Sequence, residues 1–389
     1  MIWVNGHFYL QLFILIYFLC INSIYTFLSI VAFFEVNKKH KRSFIDDYPY
    51  LKKSKLVQGC SLLVAAYNEE VTIVESVKSF LVTDYPKLEI IIVNDGSTDK
   101  TLEILKTKFK LIKYSRTMQT TIKTKKVKAC YISLLDPRLI VIDKVNGKKA
   151  DATNAGINAA SYPYIVSMDA DVIMEKDSML RVMKPMLENP EKNIVSGGIV
   201  RVVNNCVVED GKIKDVRLSK NPLPIFQVIE YMRAFNAGRT GFAALNSLLI
   251  VSGAFHIINT NVARLAGGYE SKTVTEDMEM LVRVHKNNIR EKKDYKILYL
   301  PFPVCWTEVP EDLKTLGKQR NRWHRGLCDV LSRHKVMIAN PRYGRIGLFG
   351  MAYFFMFELL GPFIEFMGYF YIGYIFFRGT INWSFLVFL

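Results

Sequence analysis

The 389-residue chain carries 52 Lys+Arg against 36 Asp+Glu, a net charge of +16, and half of its residues are hydrophobic. That composition excludes a disordered or low-complexity protein, which needs low hydrophobicity together with high net charge. The apolar residues are unevenly spread: Phe8 to Phe34 contains no charged residue, and Ile346 to Phe377 only Glu358 and Glu365. At 1.5 Å per residue each run exceeds the roughly 30 Å hydrocarbon core of a bilayer, which predicts a membrane helix on either side of a large soluble middle.

A signal peptide is the alternative for the first run, but it needs a basic lead and an apolar stretch of only about 7–15 residues. Here no Lys or Arg precedes Lys38. Lys38, Lys39, Lys41, Arg42, Lys52, Lys53 and Lys55 follow the first run; Arg322, Arg325, Arg333, Lys335, Arg342 and Arg345 precede the second. The positive-inside rule then predicts a multi-pass protein of the cell membrane with its N-terminus outside and its middle in the cytoplasm. The expected divisions are a transmembrane helix over 1–36, a basic linker over 37–58, an α/β domain over 59–310, amphipathic interfacial helices over 311–345 and a membrane region over 346–389. Trp383–Leu389 opens a third apolar run that stops before it could span anything, as expected of a truncated chain. Basic charge of this kind suits nucleic acid, anionic lipid or phosphorylated substrates. No zinc-finger or RNA-recognition signature occurs, and two spans argue against nucleic acid. The six cysteines have no metal spacing and are expected to be reduced thiols.

Within the middle, short apolar runs alternate with helical patterns, the signature of a parallel α/β sheet. Strands are expected at Cys60–Ala66, Leu88–Val93, Leu139–Ile142, Tyr164–Met168, Ile194–Val200 and Lys296–Leu300. Helices are expected over 70–81, 98–109, 150–160, 225–245, 276–286 and 311–332. The stretch 106–148 is long for a connection, so an extra hairpin or loop is expected there.

No GxGxxG follows a strand and no GxxxxGK[ST] occurs, which argues against a dehydrogenase and a P-loop ATPase. Acidic residues at strand ends are the better lead, because open α/β sheets bind ligands at the carboxyl ends of their strands. Asp169-Ala170-Asp171 closes one strand, and residues two apart can turn both carboxylates to one divalent cation. Taken alone, the pair reads first as a polar strand end capping the next helix. Asn94-Asp95-Gly96-Ser97-Thr98-Asp99 is either a turn with a helix cap or a carboxylate for a base or ribose. Lys148-Lys149-Ala150-Asp151 opens a helix, as a diphosphate site or a capped surface helix would. Asp277, in Thr275-Glu276-Asp277, reads alone as an N-terminal helix carboxylate. Gln319, Arg322 and Trp323 fall on one helix face, combining amide, guanidinium and indole as a sugar-and-phosphate surface or as a membrane-interface anchor.

Taken in order, AAYNEE (65–70), VNDGSTD (93–99), KKADATNAG (148–156), MDAD (168–171), TED (275–277) and QRNRW (319–323) resemble the processive family 2 glycosyltransferases. These include cellulose, hyaluronan and poly-N-acetylglucosamine synthases, and the resemblance is closest to bacterial poly-β-1,6-N-acetylglucosamine-synthase-like membrane proteins. It covers nearly all of 60–330. It implies a GT-A, Rossmann-like nucleotide-diphospho-sugar transferase domain in the cytoplasm, flanked by transmembrane helices. Ala66, Tyr67, Asn68, Glu69, Asp95, Asp151 and Asp169 would bind the UDP-sugar. Asp171, with Asp169, would hold Mg²⁺ or Mn²⁺. Asp277 would be the catalytic base, and Gln319, Arg322, Trp323 and Glu276 would bind diphosphate and acceptor. The implied partners are a polysaccharide or glycolipid acceptor, membrane lipid and small membrane or export subunits. No counterpart of the cellulose synthase gating loop is evident.

The reaction implied is an inverting, metal-dependent β-transfer from a UDP-sugar, with N-acetylglucosamine the best guess for the sugar, that extends a polysaccharide. Two other readings stay open on the residues alone. One is transfer of a single sugar to a lipid-linked or glycolipid acceptor. The other is a sugar-binding export component, to which intramembrane Glu358 and Glu365 would contribute a path; their alternative is interfacial packing beside the Gly361-Pro362 break.

Overall fold

The computed structural model describes residues 2–43 and 48–379. The third apolar run, Trp383–Leu389, lies outside them. Twelve strands are β1 (Cys60–Ala66), β2 (Leu88–Asn94), β3 (Leu111–Lys113), β4 (Val127–Ser133), β5 (Leu139–Lys144), β6 (Tyr164–Asp169), β7 (Ile173–Met174), β8 (Asn193–Val202), β9 (Val207–Glu209), β10 (Lys212–Asp215), β11 (Phe255–Asn259) and β12 (Lys296–Thr307). Ten of them form one sheet in the order β3-β4-β5-β2-β1-β6-β11-β8-β12-β7, while β9 and β10 pair apart as a hairpin.

The centre of the sheet is parallel: β5, β2, β1 and β6 run side by side in one direction. Such strands are covered on both faces, which is why CSLLVAA, LEIIIVN and LIVIDK read as mainly apolar runs, with polar residues chiefly at their ends, and are buried almost throughout. Helix α5 (Lys148–Ala159) packs on β1 and β2 and α6 (Ser178–Glu188) on β8 and β12; the helices before them are α1 (Ile2–Ser43), α2 (Tyr48–Lys53), α3 (Ile73–Leu81) and α4 (Thr101–Lys108). The register sets Ala66 beside Asn94, Asn94 beside Asp143, and Ala65 beside Asp169. The strand-end motifs therefore emerge along one edge. The long 106–148 stretch does carry extra strands: β3 and β4 pair antiparallel and extend the sheet past β5.

The remaining helices are α7 (Pro222–Met232), α8 (Thr240–Ala244), α9 (Thr260–Leu265), α10 (Glu276–Arg290), α11 (Leu313–Arg333) and α12 (Gly361–Phe377). The helix expected over 225–245 is widened by a π-type turn at Arg233–Arg239 between α7 and α8. Two similar turns, Ile346–Met351 and Phe354–Leu359, precede α12, which starts at the Gly361-Pro362 step. Strands β7, β9, β10 and β11 have no counterpart in the sequence reading. Two helical stretches, Phe8–Lys41 and Ile346–Phe377, are long and apolar enough to cross a membrane. The first packs on α8 so closely that a Cβ at Gly241 would lie 2.8 Å from the Leu28 carbonyl oxygen, a space only glycine leaves open. Lys39, near the end of α1, donates a 2.8 Å hydrogen bond to the Tyr299 carbonyl of β12. Cys60, Cys130, Cys206, Cys305, Cys20 and Cys328 are free thiols.

Candidate active site

Two lysines organise the strand ends. Lys144 closes β5 and is fully buried, with its ammonium 2.6 Å from Asp95 Oδ1 and 2.5 Å from Asp151 Oδ1. Asp95 also accepts from the Gly147 amide, and Asp151 from the Lys125 amide. Burying two carboxylates without a counter-charge would cost several kcal/mol each, so one ammonium shared between them makes the arrangement tenable. The two acids thus stand together, 56 positions apart in sequence yet on one cation. The sequence reading named both but missed Lys144, whose only signal is a lysine at the end of an otherwise apolar strand.

The second lysine opens α5. Lys149 Nζ lies 2.5 Å from Asp169 Oδ1 and 3.3 Å from Glu276 Oε1. A Cβ built at Gly253 would lie 3.2 Å from Asp277 Oδ2 and 3.5 Å from Lys149 Nζ, so base candidate and lysine flank the same glycine. Burial alone would lower the Lys149 pKa, but Asp169, Glu276 and Asp277 together hold it above its usual value. Its side chain keeps 35% of its accessible surface, so it reaches solvent and is not sealed in the core. Burial raises the Glu276 carboxyl, and Asp277 adds to the effect against the opposing pull of Lys149. Lys149 joins three separate motifs, a role the sequence reading did not give it.

Asn68 and Glu69 sit on the turn after β1. Asn68 adopts a left-handed conformation (φ 58°), and its side chain accepts from the Thr98 amide. The Glu69 amide donates to Thr101 Oγ1 and the Glu70 amide to Asp99, lacing this turn to the one after β2. Ala66 is buried and its carbonyl accepts from the Asp95 amide, whereas Tyr67 is exposed. Burial raises the Glu69 carboxyl, with nearby Asp169 and Asp99 adding to the effect.

Asp171 is pushed up to about 7 by burial and by the negative charge of Asp169 and Glu69. Among the described residues no set of three or more metal-ligating side chains is gathered. Two crowded carboxylates nonetheless fit Mg²⁺ or Mn²⁺, which take one or two protein carboxylates and complete their shell with substrate phosphate and water.

Helix α11 carries Gln319, Arg322 and Trp323. Trp323 is half-buried beneath Arg320, whose guanidinium lies 4.6 Å from the ring centroid and forms a two-pronged ion pair with Glu230 of α7. Arg322 is exposed, and Gln319 Oε1 is buried with no hydrogen-bond donor. Gly326, one turn further, packs directly on Thr275, the residue before Glu276. At the end of α11, His334 bonds Glu279 at 3.2 Å, and Glu279 is also held by Arg283. These contacts place α11 across the turn bearing Asp277. Arg320 and Glu230 were not singled out from sequence, because their pairing joins elements 90 residues apart.

Residues 61–236 match the family described as "Glycosyl transferase family 2", and 164–389, more than half of the chain, match "Glycosyl transferase family group 2". The chain belongs to the family 2 glycosyltransferases. A poly-beta-1,6-N-acetyl-D-glucosamine synthase of Staphylococcus epidermidis is 30% identical over 305 residues, 78% of this chain and 62% of the relative. One of Staphylococcus aureus strain COL is 28% identical over 314 residues, 80% of this chain and 63% of the relative. The chain therefore spans less than two thirds of the length of these relatives. A mannosyltransferase from Pyrobaculum calidifontis, solved with GDP-Man and Mn²⁺, superposes with a TM-score of 0.52 at 16% identity over 94% of this chain and 96% of its own. That likeness shows the fold, the GT-A Rossmann-like α/β arrangement.

Proposed function

We propose that this chain is a membrane-bound inverting β-glycosyltransferase that moves N-acetylglucosamine from its UDP donor to the growing end of a polysaccharide. The observation that carries the proposal is the Lys149 junction, which brings Asp169 of one motif and Glu276 and Asp277 of a second to the lysine of a third, beside α11. Relatives named as poly-beta-1,6-N-acetyl-D-glucosamine synthases support the choice of sugar and of a polymeric product. The two long apolar helices support residence in the membrane, with the α/β domain on the side where the basic residues flank the spans.

In this reading Asp95 and Asp151 hold the nucleoside part of the donor, with the turn 66–69 beside them. Asp277 takes the proton of the acceptor hydroxyl as that oxygen bonds the anomeric carbon, a general-base role contributing about 10²–10⁴-fold. The bond to UDP breaks on the opposite face, so one displacement inverts the sugar. Arg322 and Gln319 receive the leaving diphosphate, and Trp323 stacks on the acceptor sugar. Asp171 and Asp169 would hold a divalent cation, which would supply positive charge against that of the diphosphate.

The test is UDP release from membranes carrying the chain, with a panel of UDP-sugars and Mg²⁺ or Mn²⁺. Release with UDP-N-acetylglucosamine and a product of many sugars is the expected result. Release with a different donor would overturn the sugar, and a product one sugar longer than the acceptor would overturn polymer extension. Silence with every donor would remove autonomous activity from the reading.

A further inference from the structure

A groove of about 500 Å³ lies between α7, the ends of β8 and β12, and His40 near the end of α1. We propose that it holds one anionic phospholipid, with an acyl chain along the groove and the phosphate at its arginine rim; the proposal rests on the reading that α1 crosses the bilayer.

Three observations support this. First, the walls are largely aliphatic, with Ile199, Val202, Leu218, Ile225, Val228 and Met232 among them. Among its polar residues Asn204 is committed to Val309 and Glu311, and the Trp306 indole N–H to Glu175. Second, the groove opens where the bilayer surface would lie. His40, six residues beyond the exposed Phe34 of α1, packs its ring 5.3 Å from Phe302 at the groove wall. Leu218 and Met232 remain 68% and 59% exposed, and Phe226 and Ile229 on α7 are bare as well, apolar surface left open beside the groove. Third, the charge at the rim is positive. Arg201 stacks on Trp306 at 5.2 Å and supplies that charge, whereas Arg217 is ion-paired with Asp215, and no carboxylate is among the described residues that line the groove itself. Guanidinium groups over an apolar slot match a phosphate ester carrying a hydrocarbon tail.

The test uses the full chain in liposomes of phosphatidylcholine containing a phosphatidylglycerol or a phosphatidylcholine probe, each with a photoactivatable acyl chain. The phosphatidylglycerol probe should label the segment 216–232 preferentially. Arg201→Gln should lower that labelling about fivefold, the ratio equivalent to ~1 kcal/mol per basic residue at an anionic surface. Val228→Trp, which fills the slot, should abolish it while the bare residues Phe13 and Ile16 of α1 stay labelled. Equal labelling by both probes, or a groove signal indifferent to both substitutions, would overturn the lipid site. Absence of label on α1 as well would overturn the membrane reading and the lipid site with it.

Discussion

Gly326 of α11 and Thr275, the residue preceding α10, touch with no room for a side chain between them: a Cβ on the glycine would overlap the threonine methyl. The helix that carries Gln319, Arg322 and Trp323 is thereby seated on the turn that carries Asp277. Gly326→Ala should push the two apart. A displacement of about 1 Å can cost 10²-fold in rate, so UDP release should fall by that order while the protein still folds. Thr275→Ala removes the methyl and a hydroxyl that has no partner, and should restore part of the activity in the double variant. A double variant no better than Gly326→Ala would remove this contact from the argument.

Asp277→Asn keeps the shape of the side chain and removes its basicity. Turnover should fall about 10²–10⁴-fold with donor affinity little changed. Retained turnover, measured by UDP release with the melting temperature intact, would exclude Asp277 as the base.

Lys144→Met leaves Asp95 and Asp151 buried without their shared cation. Breaking a buried ion pair from one side costs roughly 3–5 kcal/mol, equivalent to a fall of about 10 °C in melting temperature for a domain of this size. Thermal unfolding of the purified protein reads it directly. A shift no larger than that of a surface lysine substitution would show that the pair is not held by this residue.

Chelation should abolish UDP release, and Mn²⁺ or Mg²⁺ should restore it. Asp171→Asn should lower the affinity for the added cation as well as the maximal rate. Full activity in EDTA would exclude the cation.

His285 supplies a pH test remote from the cleft. Its Nε2 faces the Leu248 carbonyl at 2.8 Å and so carries the proton, leaving Nδ1 to accept from the Tyr295 hydroxyl at 2.7 Å. Burial lowers its pKa to about 4, from an ordinary value of 6.5. Because the folded value is depressed, the stability this ring contributes is complete above about 6.5 and is lost as pH falls toward 4, by about 3 kcal/mol at most. His285→Gln should flatten the fall in melting temperature between those two pH values. An unchanged slope would assign it to other groups.

The parallel centre of the sheet was legible because strands covered on both faces must be apolar throughout, and their ends announce themselves by Asp95, Asp169 and the turns that follow. Helices α10 and α11 were legible from their periodicity. The pairing of Arg320 with Glu230, the seating of Gly326 and the lysine junctions were not, since each depends on which distant residue arrives opposite. The π-type turn at Arg233–Arg239 lies within one uninterrupted helical pattern, and its packing against α1, β8 and β12 joins residues far apart in sequence.

Lys149 has a consequence for how substitutions in this cleft are to be interpreted. An ammonium shared among Asp169, Glu276 and the neighbourhood of Asp277 does not stay in place when one of them is removed; its pull is redistributed to those that remain. Single replacements will therefore return overlapping losses, each containing part of its neighbours' effect, and their sum will exceed the whole. Only paired replacements, compared in closed thermodynamic cycles, can apportion the chemistry among the three motifs.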